Sequence, residues 1–280
     1  MLHARLELAG FVLLAFILGT SPSCGSSSAA GPSSGAGGTA GDGGPDPFVL
    51  AWQDDFDTLD ATRWQLQSFT FGGNLAQFTP QNAAVANGVL TINLTANPNS
   101  TTEPYWGVEM RSVATLKYGK VSARMRFAAG SGVVSGLVLF YTPYPNCNWN
   151  EIDIEHLGSS SNTSQLSCQV YLGTPNPSCT TSVSPTADPQ IVNLGVNAET
   201  EFHQYDIEWT PAGVKTYVDG KLLRTWTAHA DLMNLAQNVL FTIWASNAAG
   251  WAGALTPRFT ICGSAVGLTD VVQLGFGVPR

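Results

Sequence analysis

The stretch Asn148 to Gly158 reads NWNEIDIEHLG and sets Glu151, Asp153 and Glu155 at strict two-residue spacing, with Ile152 and Ile154 between them. In a β-strand, residues i, i+2 and i+4 share one face. The three acids therefore point one way and the two isoleucines the other, toward a core. No Lys or Arg lies within the stretch, so each carboxylate raises the proton affinity of its neighbours. Two carboxylates of unequal proton affinity are what cleavage of a glycosidic bond requires. An ionised one attacks the sugar carbon, and a protonated one hands a proton to the leaving oxygen. An ordinary strand with an acidic solvent face would show the same short pattern, so the surrounding elements must decide.

Residues i and i+4 of a flat strand have Cα atoms roughly 13 Å apart, whereas a retaining pair needs its carboxyls about 5 Å apart. Such a strand has to line a concave surface, so that the long Glu side chains lean together. The rest of the chain has the pattern for a curved sheet. Short apolar-rich runs at Phe48 to Asp54, Arg63 to Phe69, Ala83 to Ala86 and Val89 to Leu94 read as strands, the last two joined by the hairpin dipeptide Asn87-Gly88. Tyr105 to Thr115 and Val121 to Phe127 follow, joined through Tyr118-Gly119, and Val133 to Tyr141 is an apolar run suited to burial on both sides. After the acidic strand come Leu166 to Leu172, then a meander of Phe202 to Trp209, Val214 to Val218 and Lys221 to Trp226, whose last turn is Asp219-Gly220. Val239 to Ala245 and Gly267 to Leu274 close the chain, and only His229 to Ala236 suits a short helix. A dozen or more short strands separated by turn signals predict an all-β fold, a concanavalin-like jelly-roll sandwich of two curved antiparallel sheets.

Charge narrows the partners. Of 280 residues only 12 are Lys or Arg, the net charge is −8, and charged residues make up 11% of the chain. Nucleic acid is excluded, because phosphate binding needs clustered cations. An anionic polysaccharide is disfavoured for the same reason, and a neutral glycan fits better.

The amino terminus, residues 1–24, reads as an export signal: Arg5, then the apolar run Leu8 to Leu18, shorter than the roughly 17–25 residues of a membrane span. Cys24, followed by Gly25 and Ser26, stands where lipid is attached in bacterial lipoproteins, so the expectation is an exported chain, either a surface lipoprotein or simply secreted. The only membrane contact expected is that lipid anchor. Residues 25–47 are almost all Gly, Ser, Ala, Thr, Asp and Pro, a composition that cannot bury enough apolar surface to offset its ordering entropy. They form a tether, and the folded domain is residues 48–280. The remaining four cysteines, Cys147, Cys168, Cys179 and Cys262, allow two disulfides in three pairings.

NEIDIEHLG resembles the active-site strand of glycoside hydrolase family 16, in the branch with licheninases and xyloglucan-active enzymes, where this strand has no bulge. The resemblance continues through VEMRSVATLKYGKVSARMRFAAGSGVVSG before it and FHQYDIEWTPAGVKTYVDGKLLRT after it, and covers about Leu50 to Leu274. It implies a retaining endo-acting β-glucan hydrolase with β-1,3-1,4- or β-1,3-glucan as substrate, working as a monomer without a catalytic cofactor. By position, Glu151 would be the nucleophile, Glu155 the general acid/base and Asp153 the acid that orients the nucleophile. An ionised Glu151 would keep Glu155 protonated for the first step. A transglycosylase on β-glucan or xyloglucan would use the same site, and a lectin-like binder would share the fold without the chemistry.

The resemblance also implies a cleft. Trp149, Trp244 and Trp251 would offer ring faces to sugars, Glu109 and Arg111 would hydrogen-bond sugar hydroxyls or simply pair with each other, and Tyr141 or Phe140 would line a subsite. Gln169 stands where licheninases carry a sugar-binding Asn. Asn150 replaces an acid common before the nucleophile, and Phe71-Gly72-Gly73 lacks the Asn found before the paired glycines. His156 and His203 are expected as packed structural residues. Asp270, with the backbone carbonyl of Gly88, matches a structural Ca²⁺ site of some members.

Overall fold

The structure is a computed structural model. It describes residues 48–142, 148–158, 165–173, 185–255, 261–267 and 274–275, with the backbone alone for 165–173, 185–187, 261–267 and 274–275. The export signal, Cys24, the tether, Cys147, Cys179, Asp270 and the side chains of Cys168, Cys262 and Gln169 lie outside the described residues, and the disulfide pairings with them.

In chain order the first strands are β1 Leu50–Trp52, β2 Trp64–Leu66, β3 Ala76–Phe78, β4 Ala83–Ala86, β5 Val89–Ala96, β6 Tyr105–Leu116, β7 Gly119–Arg126, β8 Val133–Phe140 and β9 Trp149–Leu157. They continue as β10 Gln165–Gly173, β11 Pro185–Asn193, β12 His203–Thr210, β13 Gly213–Val218, β14 Lys221–Trp226, β15 Gln237–Ala245, β16 Ile261–Gly267 and β17 Leu274–Gly275. They form a jelly-roll sandwich of two curved antiparallel sheets. The sheet that carries the acids runs β11–β10–β9–β8–β15–β6–β2. Its partner runs β4–β5–β16–β7–β12–β13–β14, with β17 also paired to β7 and β1 to β17. One pairing is parallel, β3 against β6.

Alternation decides what each sheet buries. Met110, Leu137, Ile152, Ile154, Phe241 and Ile243 from the acid-bearing sheet meet Leu90, Val121, Tyr205, Ile207 and Trp209 from its partner in one continuous core. The turns follow their sequences: Asn87 and Gly88 have φ of 54° and 70°, Asp219 and Gly220 46° and 75°, the left-handed pair that a two-residue hairpin needs.

Three strands fall outside the runs expected from the sequence: β3, β11 and β16, the last lying at Ile261–Gly267 where a closing strand is expected at Gly267 to Leu274. β3 is three residues long. β11 contains Pro185 and Pro189, which argue against a strand; among the described residues β11 pairs only with β10, so it is an edge, where a missing N–H is tolerated. His229 to Ala236 forms only a 3-10 turn, Ala230–Leu232. His229 itself has φ of 55°, outside the helical region.

Candidate active site

Along β9 the alternation is as expected. Ile152 and Ile154 are fully buried in the core, each contributing about 1.5–3 kcal/mol. His156 shares that side. It stacks on Phe127 with ring centroids 5.5 Å apart, and its Nε2 lies 2.9 Å from Glu199 Oε1. His203 pairs through Nδ1 with Asp219 Oδ2 at 2.7 Å. Both are packed histidines.

The opposite face of the sheet points away from the core, yet its residues are largely shielded from water. Glu109, Asp153, Glu155 and Thr242 are each less than a tenth exposed, as are Val134, Val138 and Leu240 between them. An outward face buried in this way is a recessed one. Cross-strand register lines up its groups: Glu155 is opposite Gly136, Gly136 opposite Thr242, and Thr242 opposite Glu109. A Cβ on Gly136 would stand 3.3 Å from both Glu155 Cγ and Thr242 Oγ1. The glycine therefore makes room for the acid. Thr242 Oγ1 is buried with no hydrogen-bond partner among the described residues, which leaves a donor and acceptor on the groove floor.

Glu151 is the acid nearest the start of β9. The indole Nε1 of Trp149 donates to Glu151 Oε2 at 2.6 Å, as two residues on one strand face can. Burial pushes the Glu151 carboxyl up to about 7; the Trp149 hydrogen bond opposes that rise, and the charge of Glu109 adds to it. The cause is desolvation more than the neighbouring acids.

Glu109 and Arg111 bond to each other. Arg111 Nε donates to Glu109 Oε1 at 3.1 Å and Nη2 donates to the same oxygen. Burial raises the Glu109 carboxyl, with Arg111 acting against it. Both lie on the recessed face, so the ion pair is also part of the groove wall.

Alternation along β8 sets Phe140, not Tyr141, on the acid-bearing face. Phe140 is opposite Glu151 and packs edge-on against Trp149 with centroids 5.4 Å apart. Tyr141 donates its backbone N–H to the Asn150 carbonyl at 3.0 Å. Gln169 is opposite Asp153 by backbone register. Trp244 and Trp251 stand together, centroids 5.9 Å apart, and Phe71 meets Trp244 edge-on at 5.1 Å. Phe71 and Phe69 are exposed aromatic rings that join this row through Phe78. Sequence reasoning missed Phe71, Gly136 and Thr242 as groove residues. Only Thr242 carried a local sign, its place two residues before Trp244 on one strand face.

Among the described residues no group of three or more His, Cys, Asp or Glu side chains is placed to hold a metal ion. The expected Ca²⁺ site rests on Asp270, outside the described residues.

Comparison with known proteins bears on this arrangement. A family model described as Glycosyl hydrolases family 16 matches residues 74–260. A beta-glucanase of Fibrobacter succinogenes is 33% identical over 179 residues, 61% of this chain and 46% of that protein. A beta-glucanase of Bacillus licheniformis is 29% identical over 211 residues, 73% of this chain and 79% of that protein. The chain thus spans about half the length of the Fibrobacter relative. A prokaryotic beta-1,3-1,4-glucanase (lichenase) from a mouse hindgut metagenome has a similar structure, with TM-score 0.66 and 25% identity over 77% of this chain and 95% of that one.

Proposed function

From the premise that the chain belongs to glycosyl hydrolases family 16, we propose that it is a retaining, endo-acting hydrolase of a neutral β-glucan, linked β-1,3-1,4 or β-1,3. The observation that carries this reading is the recessed acidic face, with Glu151, Asp153 and Glu155 on one side of β9 and an aromatic row beside them.

In this reading Glu151, ionised, attacks the anomeric carbon while Glu155 donates its proton to the leaving oxygen. The C–O bond to the leaving sugar breaks and a glycosyl ester to Glu151 forms. The ester carries no charge, so Glu155, now ionised, takes a proton from water, which attacks the same carbon and releases Glu151. Two displacements retain the configuration. Asp153, between the two glutamates, orients Glu151. The active form of the pair has Glu151 ionised and Glu155 protonated, a single shared proton.

The groove's supports fit a sugar chain with no charge. Glu109, Arg111 and Thr242 present hydrogen-bonding groups, and Trp149, Phe140, Trp244 and Trp251 present apolar ring faces. The export segment 1–24 suits a substrate too large to enter a cell, and the anchor at Cys24, a monomeric state and a structural Ca²⁺ at Asp270 and Gly88 belong to the same proposal.

The test is to incubate the protein with lichenan, laminarin, xyloglucan and agarose, size the products and follow the anomeric configuration by proton NMR. The expected result is short oligosaccharides from a β-glucan, released first as the β-anomer. Chain-length redistribution without new reducing ends would replace hydrolysis by glycosyl transfer. Binding without any cleavage would leave only a lectin-like role.

A further inference from the structure

Asn150 stands between Trp149 and Glu151, and its side chain points away from the groove. It is almost wholly buried, and its amide is saturated. Oδ1 accepts the backbone N–H groups of Asn234 and Leu235, both at 2.9 Å. Nδ2 donates to the Leu232 carbonyl at 3.1 Å and to the Trp149 carbonyl at 2.8 Å. The residue's own carbonyl accepts from Tyr141 N–H. Five hydrogen bonds thus converge on one residue at the first turn of pleat in β9, whose first strand residue is Trp149.

A strand end frays unless something holds it. The segment 232–235 leads directly into β15, the strand two places across the sheet that carries Thr242 and Trp244. We propose that Asn150 is a positioning residue: its amide clamps the start of β9 to segment 232–235 and so holds the Trp149 indole in hydrogen-bonding register with the Glu151 carboxylate. The clamp needs an amide. A carboxylate at position 150 accepts from Asn234 and Leu235 but donates neither to Leu232 nor to Trp149, and a shorter side chain reaches none of them.

The consequence is a particular protonation behaviour. The Trp149 N–H stabilises the ionised form of Glu151 and works against its burial. Among the described side chains, the charged groups that face Glu151 are Glu109 with its partner Arg111 from β6 and Asp153 and Glu155 from β9; Phe140 from β8 and Asn238 from β15 bring no charge, and β10 sets the titratable Tyr171 opposite Glu151 by backbone register. Loosening Trp149 therefore raises the proton affinity of Glu151. This inference rests on the hydrolase reading for its kinetic arm but not for its titration arm.

The experiment compares Asn150→Ala, Trp149→Phe and the double variant with the parent protein. One arm follows the Glu151 carboxyl by carbon-13 NMR titration without substrate. The other measures kcat/KM against pH on a soluble β-glucan oligosaccharide. The expected result is an upward move of the Glu151 titration, and of the acidic limb of kcat/KM, by about half a pH unit or more in Asn150→Ala. In the Trp149→Phe background Asn150→Ala adds no further shift, because the two act through one contact. If Asn150→Ala lowers the melting temperature but leaves the titration where it was, the residue is only a structural clamp and the proposal fails. Equal, additive shifts in the two single variants would also overturn it. Should the parent hydrolyse no glucan, the hydrolase reading fails while the NMR arm still decides the role of Asn150.

Discussion

The Trp149 indole donates to the Glu151 carboxylate across 2.6 Å from two residues away on the same strand. The bond joins an indole on the acid-bearing face to an acid that burial has made reluctant to ionise, with its proton affinity up at about 7. Among the described residues, the indole supplies the polar contact that favours the charge of Glu151.

The two glutamates divide by the chemistry of rescue. Glu151→Ala is expected to lower kcat on an activated aryl glycoside by more than about 10³-fold, and added azide then gives the α-glycosyl azide by single inversion. Glu155→Ala is expected to lose about 10²–10⁴-fold on a poor leaving group and to yield the β-azide, since the covalent step survives. Swapped anomers, read by NMR of the azide products, would reverse the assignments.

Glu151 should cost the fold something at neutral pH. Its folded proton affinity is above its unfolded one, so between about pH 4.5 and 7 the folded state holds more protons than the unfolded state. Stability then falls as pH rises through that window. Glu151→Gln is expected to raise the melting temperature at pH 8 by roughly 2–4 °C, about 1 kcal/mol, and to change it little at pH 4. A calorimetric scan at the two pH values checks this.

Glu109 faces Glu151 and raises its proton affinity. Glu109→Gln removes that charge, so the acidic limb of kcat/KM should move to lower pH, while KM for glucan rises as a wall contact changes. An unmoved limb in a full pH–rate profile would mean that Arg111 already neutralises Glu109 as seen from the groove.

Sugar stacking predicts a length-dependent loss. Trp244→Ala and Phe71→Ala should each raise KM for a β-glucan hexasaccharide by about 3–10-fold, with a smaller effect on a disaccharide glycoside. Equal losses on both substrates, in steady-state kinetics, would remove the aromatic row from the binding surface.

Gly158, just beyond β9, has no room for a side chain: an added Cβ would run into the Gly130 carbonyl oxygen. Gly158→Ala is expected to cost more than about 2 kcal/mol, read as a lowered melting temperature. Gly136→Ala should behave differently. Its Cβ meets the Glu155 side chain and the Thr242 hydroxyl at 3.3 Å, so activity should fall further than stability.

The E-x-D-x-E spacing alone determined that three acids share a face and that Ile152 and Ile154 face the core, because strand geometry has a period of two. The hairpin turns at Asn87-Gly88 and Asp219-Gly220 were equally local, since left-handed φ values select those residues. The all-β class followed from many short alternating runs. What neighbours sit beside the acids was decided only by the folded sheet. Gly136, Thr242 and Glu109 fall in line with Glu155 through three strand pairings, and Phe71 meets Trp244 edge-on from a distant part of the chain. Cross-strand register, not sequence proximity, makes those contacts. The recess itself is likewise tertiary: it comes from the curvature of a whole sheet, which shields an acidic strand face from water and raises the proton affinity of Glu151.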